Sequence, residues 1–525
     1  MRKILAVFVG LVIAGGAIPS AAQAHTNDDK GYTPPPISWG VCASAGLKAR
    51  GAECGFVVVP LDYAHPSGVK IKIAVSRIKH KNAHYQGVML VNPGGPGGSG
   101  LIWATLGESV PGGVGGDYDW IGFDPRGVGS SQPALTCDNE YFGYNRPYYV
   151  PVTRSLERTW LAKAKAYAAA CDRAGGALLD HLETTDTVAD MESIRKALSV
   201  SQINYYGFSY GTYLGQVYST LHPKQVRRMV LDGNVNPTRV WYDANLDQDV
   251  QFDKNMDVYF GWVAKYDSVY HLGTKAKVVK AKYYAALQQL RTAPAGGLIG
   301  PDEWNDIFVS AGYYVYGWEQ VAEVFSAWVN DRDAAPLLEM YSPPGAPGAD
   351  NGYSIYLGVQ CTDVQWPLSW SKWQRDNSRL YARYPFITWN NAWFNAPCLN
   401  WGAKAGKPVS VSGKQVGPIL LISETNDAAT PYTGSLEVRK RFPRSVLIEG
   451  VGGTTHAGSL SGVACTDDTV AGYLATGALP ARVSGNRSDK QCSPVPPPDP
   501  TAATAQTFAT AGGSRADLQK LITIR

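Results

Sequence analysis

A serine set between glycines, Gly207-Phe208-Ser209-Tyr210-Gly211, is the first stretch of this chain with chemistry to offer. An apolar-leaning run, 201–205, precedes it, and a helix-like run, 212–222, comes after it. On a strand-to-helix turn the glycines keep Cβ atoms from colliding, and the serine hydroxyl stands at the carboxyl edge of a sheet. A hydroxyl is a poor nucleophile at neutral pH, so it needs a base, and the base needs an orienting acid. On such a turn the acid and then the histidine follow the serine along the chain.

Three histidines come after Ser209: His222, His271 and His456. His222 lies down the helix leaving the turn and should point away, while His271 falls in a helical region. His456 sits in Gly452-Gly453-Thr454-Thr455-His456-Ala457-Gly458, a glycine-rich loop after the last strand, and is the expected base. The preceding strand, 418–423, delivers Asp427 just before Thr430-Pro431, a helix start. Asp427 is the expected acid and Glu424 its close alternative. The plain alternative makes Asp427 a helix cap and His456 a loop histidine.

An acyl-transfer site also needs two backbone N–H groups for the developing oxyanion. One belongs to the residue after the nucleophile, Tyr210; the other should come from the loop Gly94-Gly95-Pro96-Gly97-Gly98-Ser99-Gly100, with Gly95 as candidate. That loop also satisfies Gly-x-Gly-x-x-Gly, with Asp117 or Asp119 near the spacing of a ribose-binding acid. Prolines at 93 and 96 remove donors that a pyrophosphate would need, so no dinucleotide cofactor is expected. His80 and His84 stand four apart without the glutamate of a zinc protease, and no metal site is expected.

These groups need a scaffold. Strand-like runs at 55–63, 69–78, 87–91, 120–123, 201–205, 228–233, 418–423 and 445–449 alternate with helix-like runs at 154–174 and 187–198. That order argues for an α/β fold with a mostly parallel central sheet. From 237 to 408 strands give way to helical spacing at 250–270, 274–292 and 318–330, and six tryptophans crowd the end. This stretch reads as a largely helical cap, inserted before the strand that carries the acid. The expected plan is 1–24 signal peptide, 25–36 proline-rich leader, 37–236 first part of the core, 237–408 cap, 409–492 second part of the core, and 493–525 linker and tail with a short helix at 514–522.

Arg2 and Lys3, an apolar run at 4–17 and Ala22-Gln23-Ala24 form a secretory signal with its cleavage site. The eight cysteines contain no Cys-x-x-Cys pair, and an even number in an exported chain suggests disulfides. Neighbour pairing, 42 with 54, 137 with 171, 361 with 398 and 465 with 492, closes the smallest loops. Of the 525 residues 45% are hydrophobic and 18% charged, a globular balance. The net charge is +4 with scattered basic residues, which offers nucleic acid no footprint. The 30 tyrosines and 15 tryptophans suit an aromatic cleft or dense packing.

Taken together, Asn92-Pro93-Gly94-Gly95-Pro96-Gly97-Gly98-Ser99-Gly100, Gly122-Phe123-Asp124-Pro125-Arg126-Gly127, the Ser209 turn and Asp427-Ala428-Ala429-Thr430-Pro431-Tyr432 resemble the secreted tripeptidyl aminopeptidases of Streptomyces. So do Asn245-Leu246-Asp247-Gln248-Asp249-Val250, Tyr270-His271-Leu272-Gly273 and Thr388-Trp389-Asn390-Asn391-Ala392-Trp393 within the cap. The resemblance spans roughly 37–492. It implies the α/β-hydrolase fold, a triad of Ser209, Asp427 and His456, and release of short peptides, often tripeptides, from free amino termini. It implies a secreted, monomeric enzyme without metal or cofactor or stable membrane anchor. It also implies cap acids that hold the substrate ammonium, for which Asp363 and Glu319 are candidates. The chain departs from the family pattern at Ala457, where a glycine is usual, and at Gln360, where an acid is expected. The other readings are a secreted esterase, lipase or acyl-transferring hydrolase using the same triad, and an inactive binding protein.

Overall fold

The computed structural model describes residues 31–341 and 348–502. The expected signal peptide and the short helix at 514–522 lie outside them. Among the described residues ten strands form one sheet: β1 Gly40–Val41, β2 Glu53–Pro60, β3 Lys70–Ile78, β4 Val88–Asn92, β5 Asp119–Phe123, β6 Ile203–Phe208, β7 Val226–Asp232, β8 Leu420–Glu424, β9 Val446–Gly450 and β10 Lys490–Cys492. Their order is β1-β2-β3-β5-β4-β6-β7-β8-β9-β10. The β1, β2, β3 side pairs antiparallel as far as β5, and every later pairing is parallel.

Burial follows from this arrangement. β3 lies towards the antiparallel edge and alternates exposed Lys70 and Lys72 with buried Ile71 and Ile73. β4, β6, β8 and β9 are buried along their whole length. Strands covered on both faces need apolar residues at consecutive positions. Their period of two splits them cleanly: Leu90, Tyr205, Leu231, Leu421 and Leu447 enter one apolar cluster, while Val91, Tyr206, Val230, Ile422 and Ile448 enter the other.

Parallel strands bring all their carboxyl ends to one edge, and the loops expected to carry chemistry leave from that edge. The loop of Gly94 follows β4, Ser209 follows β6, Asp427 follows β8 and His456 follows β9. Between β7 and β8 the regular elements are helical, the longest being Tyr242–Lys265. The runs expected at 250–270, 274–292 and 318–330 correspond to Tyr242–Lys265, Ala276–Leu290 and Trp318–Ser326. Among the described residues four longer helices were not evident from spacing, Pro301–Tyr313, Asn351–Asp363, Trp370–Tyr381 and Thr388–Asn395, nor was the short Ala335–Met340. Asn351–Asp363 and Thr388–Asn395 are buried almost all round, which erases the amphipathic stripe that spacing detects.

The helical insertion has two halves. Phe252, Trp304, Phe308 and Phe325 centre an apolar cluster of its own, whereas Tyr353, Trp389 and Trp393 join the core cluster. Trp160 of the helix Arg154–Gly175 stacks on Trp393 at 5.6 Å, and Trp370 stacks on Trp393 at 4.8 Å. The crowded tryptophans therefore weld insertion to core. The four disulfides pair as expected, Cys42–Cys54, Cys137–Cys171, Cys361–Cys398 and Cys465–Cys492.

Candidate active site

Ser209 holds φ 55° and ψ −126°, between the last residue of β6 and the helix Tyr210–Leu221. A serine pays strain to sit at positive φ, and only dense surroundings hold it there. Its N–H donates to the carbonyl of Asp232 at 3.0 Å, and its own carbonyl accepts from the Thr212 N–H and Oγ1 at 2.8 and 2.6 Å. The flanking glycines are required by close approach: a Cβ on Gly207 would stand 2.5 Å from the Gly211 carbonyl oxygen, and one on Gly211 2.5 Å from that of Asn92. Ser209 remains half-buried among buried neighbours, so its hydroxyl is reachable.

His456 and Asp427 meet directly. The imidazole Nδ1 lies 2.9 and 2.8 Å from the two carboxylate oxygens of Asp427. That contact fixes the ring and leaves Nε2 for work elsewhere. Asp427 also accepts from the N–H groups of Ala429 and Thr430, at 3.0 and 2.9 Å, and from Thr430 Oγ1 at 2.8 Å. One carboxylate thus both caps the following turn and holds the imidazole, so the cap and the expected acid are the same group. Glu424 ends β8 beneath this loop, with Oε1 accepting from the Val495 N–H at 3.2 Å. Burial, with Asp232 and Asp427 nearby, pushes its carboxyl up to about 9. The carboxyl that meets the imidazole is therefore Asp427, while Glu424 accepts from the Val495 segment.

Two further groups hold the loops of Ser209 and His456 together. Asp232 bridges the turn and the histidine loop: its carbonyl takes the Ser209 N–H, and its Oδ2 takes the Ser459 N–H at 2.8 Å. The insertion grips the histidine as well, since the Tyr313 carbonyl accepts the His456 N–H at 2.8 Å and Thr455 Oγ1 accepts from the Val315 N–H at 3.3 Å. Sequence spacing carries no signal for either contact.

The loop after β4 reaches Ser209. A Cβ on Gly94 would lie 2.8 Å from Ser209 Cβ and 3.0 Å from the Tyr210 nitrogen, so only glycine lets this backbone approach. Gly95, Ser209, Tyr210 and His456 line one cleft, which encloses about 1010 Å³ counting the part open to solvent. Its wall includes Trp241, Tyr313, Tyr356, Gln360 and Phe394 from the insertion.

Neither acid named for the substrate ammonium lines this cleft. Asp363 is buried behind the wall, accepting from Thr184 N–H at 2.6 Å, Thr184 Oγ1 at 2.7 Å and Trp241 Nε1 at 3.0 Å. Thr184 Oγ1 in turn lies 2.8 Å from the Tyr210 hydroxyl. Asp363 thus buttresses Trp241 and Tyr210, and burial, only partly offset by its donors, raises its carboxyl to about 6. Glu319 is half-buried on the helix Trp318–Ser326, where burial and the charges of Glu323 and Asp499 raise its pKa. The cleft's carboxylate is Asp247, paired with Arg239 and 39% exposed. By sequence Asp247 figures only within the 245–250 stretch that resembles the family, without a role of its own. His222 and His271 do not line the cleft either; each ends a helix. His80 and His84 bond Asp119 and Asp117, at 2.7 and 3.4 Å.

Comparison with known proteins agrees with the geometry. A family model described as alpha/beta hydrolase fold matches residues 87–281, and one described as TAP-like protein matches 384–492. The tripeptidyl aminopeptidase of Streptomyces coelicolor is 40% identical over 93% of this chain and 90% of its own length. The serine protease Hip1 of Mycobacterium tuberculosis is 29% identical over 85% of this chain and 90% of its own. Carboxylesterase B of the same species is 30% identical over 90% of this chain and 95% of its own.

Proposed function

Since the chain belongs to the tripeptidyl aminopeptidase family of α/β-hydrolases, we propose that it is a secreted serine exopeptidase that removes short peptides, tripeptides foremost, from free amino termini. The observation that carries the reading is the convergence of Ser209, His456 and the Gly94–Gly95 backbone on one cleft, with Asp427 locked to the imidazole behind them.

In this mechanism Ser209 Oγ attacks the scissile carbonyl carbon while His456 Nε2 takes its proton. The carbonyl oxygen becomes an oxyanion, held by the N–H groups of Tyr210 and Gly95. Asp427 keeps the proton-bearing Nδ1 towards itself and stabilises the imidazolium. Collapse breaks the C–N bond, and His456 returns the proton to the leaving amine. Water then attacks the acyl-enzyme, His456 takes its proton and passes it to Ser209 Oγ, and the short peptide leaves as a carboxylate.

Residues 237–408 act as a cap that closes the non-prime end of the cleft, so that only a few residues fit upstream of the cut bond. Asp247 is the group suited to the substrate ammonium, because it is the carboxylate of the cleft wall. Gln360 beside it offers a neutral amide in place of a second charge. The enzyme works as an exported monomer.

A second reading, an esterase with the same triad, is favoured by the likeness to carboxylesterase B and by the largely uncharged cleft wall. Assay of Ala-Ala-Pro-p-nitroanilide, its N-acetylated form and p-nitrophenyl butyrate, with Ser209→Ala as control, separates the two. Turnover of the free-amine peptide with little of the acetylated one is expected. Turnover of the ester alone would leave the esterase, and silence on all three would leave a binding protein.

A further inference from the structure

The insertion contains a second cavity that shares no lining residue with the catalytic cleft. It encloses about 410 Å³ counting its open mouth, between the helices Ala276–Leu290, Pro301–Tyr313, Trp370–Tyr381 and Thr388–Asn395. Tyr148, Tyr284, Tyr381 and Trp389 supply its rings, and Asp302 its carboxyl.

Asp302 is 1% exposed. Its Oδ1 accepts from the Tyr149 N–H at 2.9 Å, but its Oδ2 has no protein partner. An oxygen without a partner at that depth is costly, and burial, with Glu303 and Asp306 nearby, raises this carboxyl well above its ordinary range, so its charged form needs a donor. The nearest guanidinium is committed elsewhere: Arg146 pairs with Glu303 at 3.3 Å and with Asp306 at 2.7 Å. Three carboxyl groups thus surround one buried cation, and a positive guest at Asp302 would favour its charged form. The rings suit the same guest, since aromatic faces attract cations and their edges pack alkyl groups. The rim already shows the affinity, because exposed Arg291 lies over the Tyr148 ring at 4.5 Å while bonding Gln288 at 2.9 Å.

We propose that this cavity is a binding site for a small primary alkylammonium ion, whose N–H donates to Asp302 Oδ2 while its alkyl part lies among Tyr284, Tyr381 and Trp389. The site stands apart from peptide hydrolysis and does not depend on that reading.

Propylammonium chloride, titrated calorimetrically into the full chain against a sodium chloride blank, tests it, with n-propanol as the uncharged isostere. One ion per chain is expected at a Kd of about 1 mM, weaker than the roughly 40 μM that four non-hydrogen atoms allow at best. Propanol should give no heat beyond dilution. Asp302→Asn should weaken binding at least about tenfold, the loss of one charge-assisted bond. Tyr381→Leu, at a half-buried position, should weaken it several-fold and covers the case in which Asp302→Asn fails to melt cooperatively. Asp247→Asn should leave binding intact. The proposal is overturned if propylammonium does not bind, if propanol binds equally, or if Asp247→Asn abolishes a binding that Asp302→Asn spares, since the ion would then occupy the catalytic cleft.

Discussion

The sheet edge and the helical insertion contribute to one cleft in different ways. At the edge the geometry is built largely from backbone: a serine at φ 55° and glycines that admit neighbouring backbone atoms. In the insertion it is built from side chains, with Trp241, Tyr313, Tyr356, Gln360 and Asp247 forming the wall. Backbone constellations tolerate few residue types, because sterics decide them. Side-chain walls can be repapered without moving a helix, so one triad serves peptidases and esterases. The two regions are nonetheless coupled, since the insertion's Tyr313 carbonyl holds the His456 backbone.

The largest effect should come from breaking the edge. Asp427→Asn keeps the shape but presents the wrong tautomer of His456, and kcat on the peptide anilide should fall about 10⁴-fold with KM little changed. A loss below tenfold would remove Asp427 from the triad.

Asp247→Asn sharpens the contrast from the insertion's side. The expected result is a rise in KM of roughly tenfold or more for the free-amine peptide, because the amide no longer offers the ammonium a charged acceptor. The acetylated peptide and the ester should be unaffected. An equal loss on all three would mean that Asp247 shapes the cleft instead of holding the ammonium.

Glu424 lies at the seam, where Val495 of the carboxyl-terminal segment packs into the insertion's cluster. Its carboxyl is raised from 4.5 to about 9, so the folded chain keeps a proton that the unfolded chain releases. The stability it contributes is complete below about 4.5 and drains away as pH rises towards 9. Glu424→Gln should flatten that slope, with a difference of roughly 1–3 kcal/mol between pH 5 and pH 8.5 in urea denaturation. Parallel midpoints for both proteins would refute a proton held by Glu424.

The smallest effect belongs to Ala457, held at φ 57° beside the base. Ala457→Gly relieves a left-handed strain of roughly 1–2 kcal/mol but frees the unfolded chain by up to ~1 kcal/mol. A rise in Tm of a few degrees at most, with kcat within about twofold, is expected. A fall in Tm would mean that the buried Ala457 methyl group packs to more effect than the strain costs.

Much of the edge was legible in the chain itself. Apolar runs bounded by glycine-rich turns mark buried parallel strands, and the loop leaving each parallel strand must emerge at the same edge. Ser209 and His456 could therefore be named as candidates from chain order, which left Asp427 and Glu424 open until the family resemblance favoured Asp427, and the cysteine neighbours could be paired because short loops close readily. The insertion was less legible for a physical reason: helices buried on every side carry no stripe, so Asn351–Asp363 and Thr388–Asn395 escaped notice. Acid roles were illegible too. A carboxylate is the same letter whether it faces a cleft, as Asp247 does, or braces a wall, as Asp363 does.

By itself, then, the amino-acid order determined the α/β scaffold, the turn at Ser209 and the chain order of the candidate residues, because period, sterics and chain connectivity are local properties. Only the tertiary structure decided which carboxyl meets His456, which one lines the cleft, and that Asp302 is left with an oxygen unpaired. Those outcomes depend on distance and burial, which residues far apart in the chain acquire only when the helices pack.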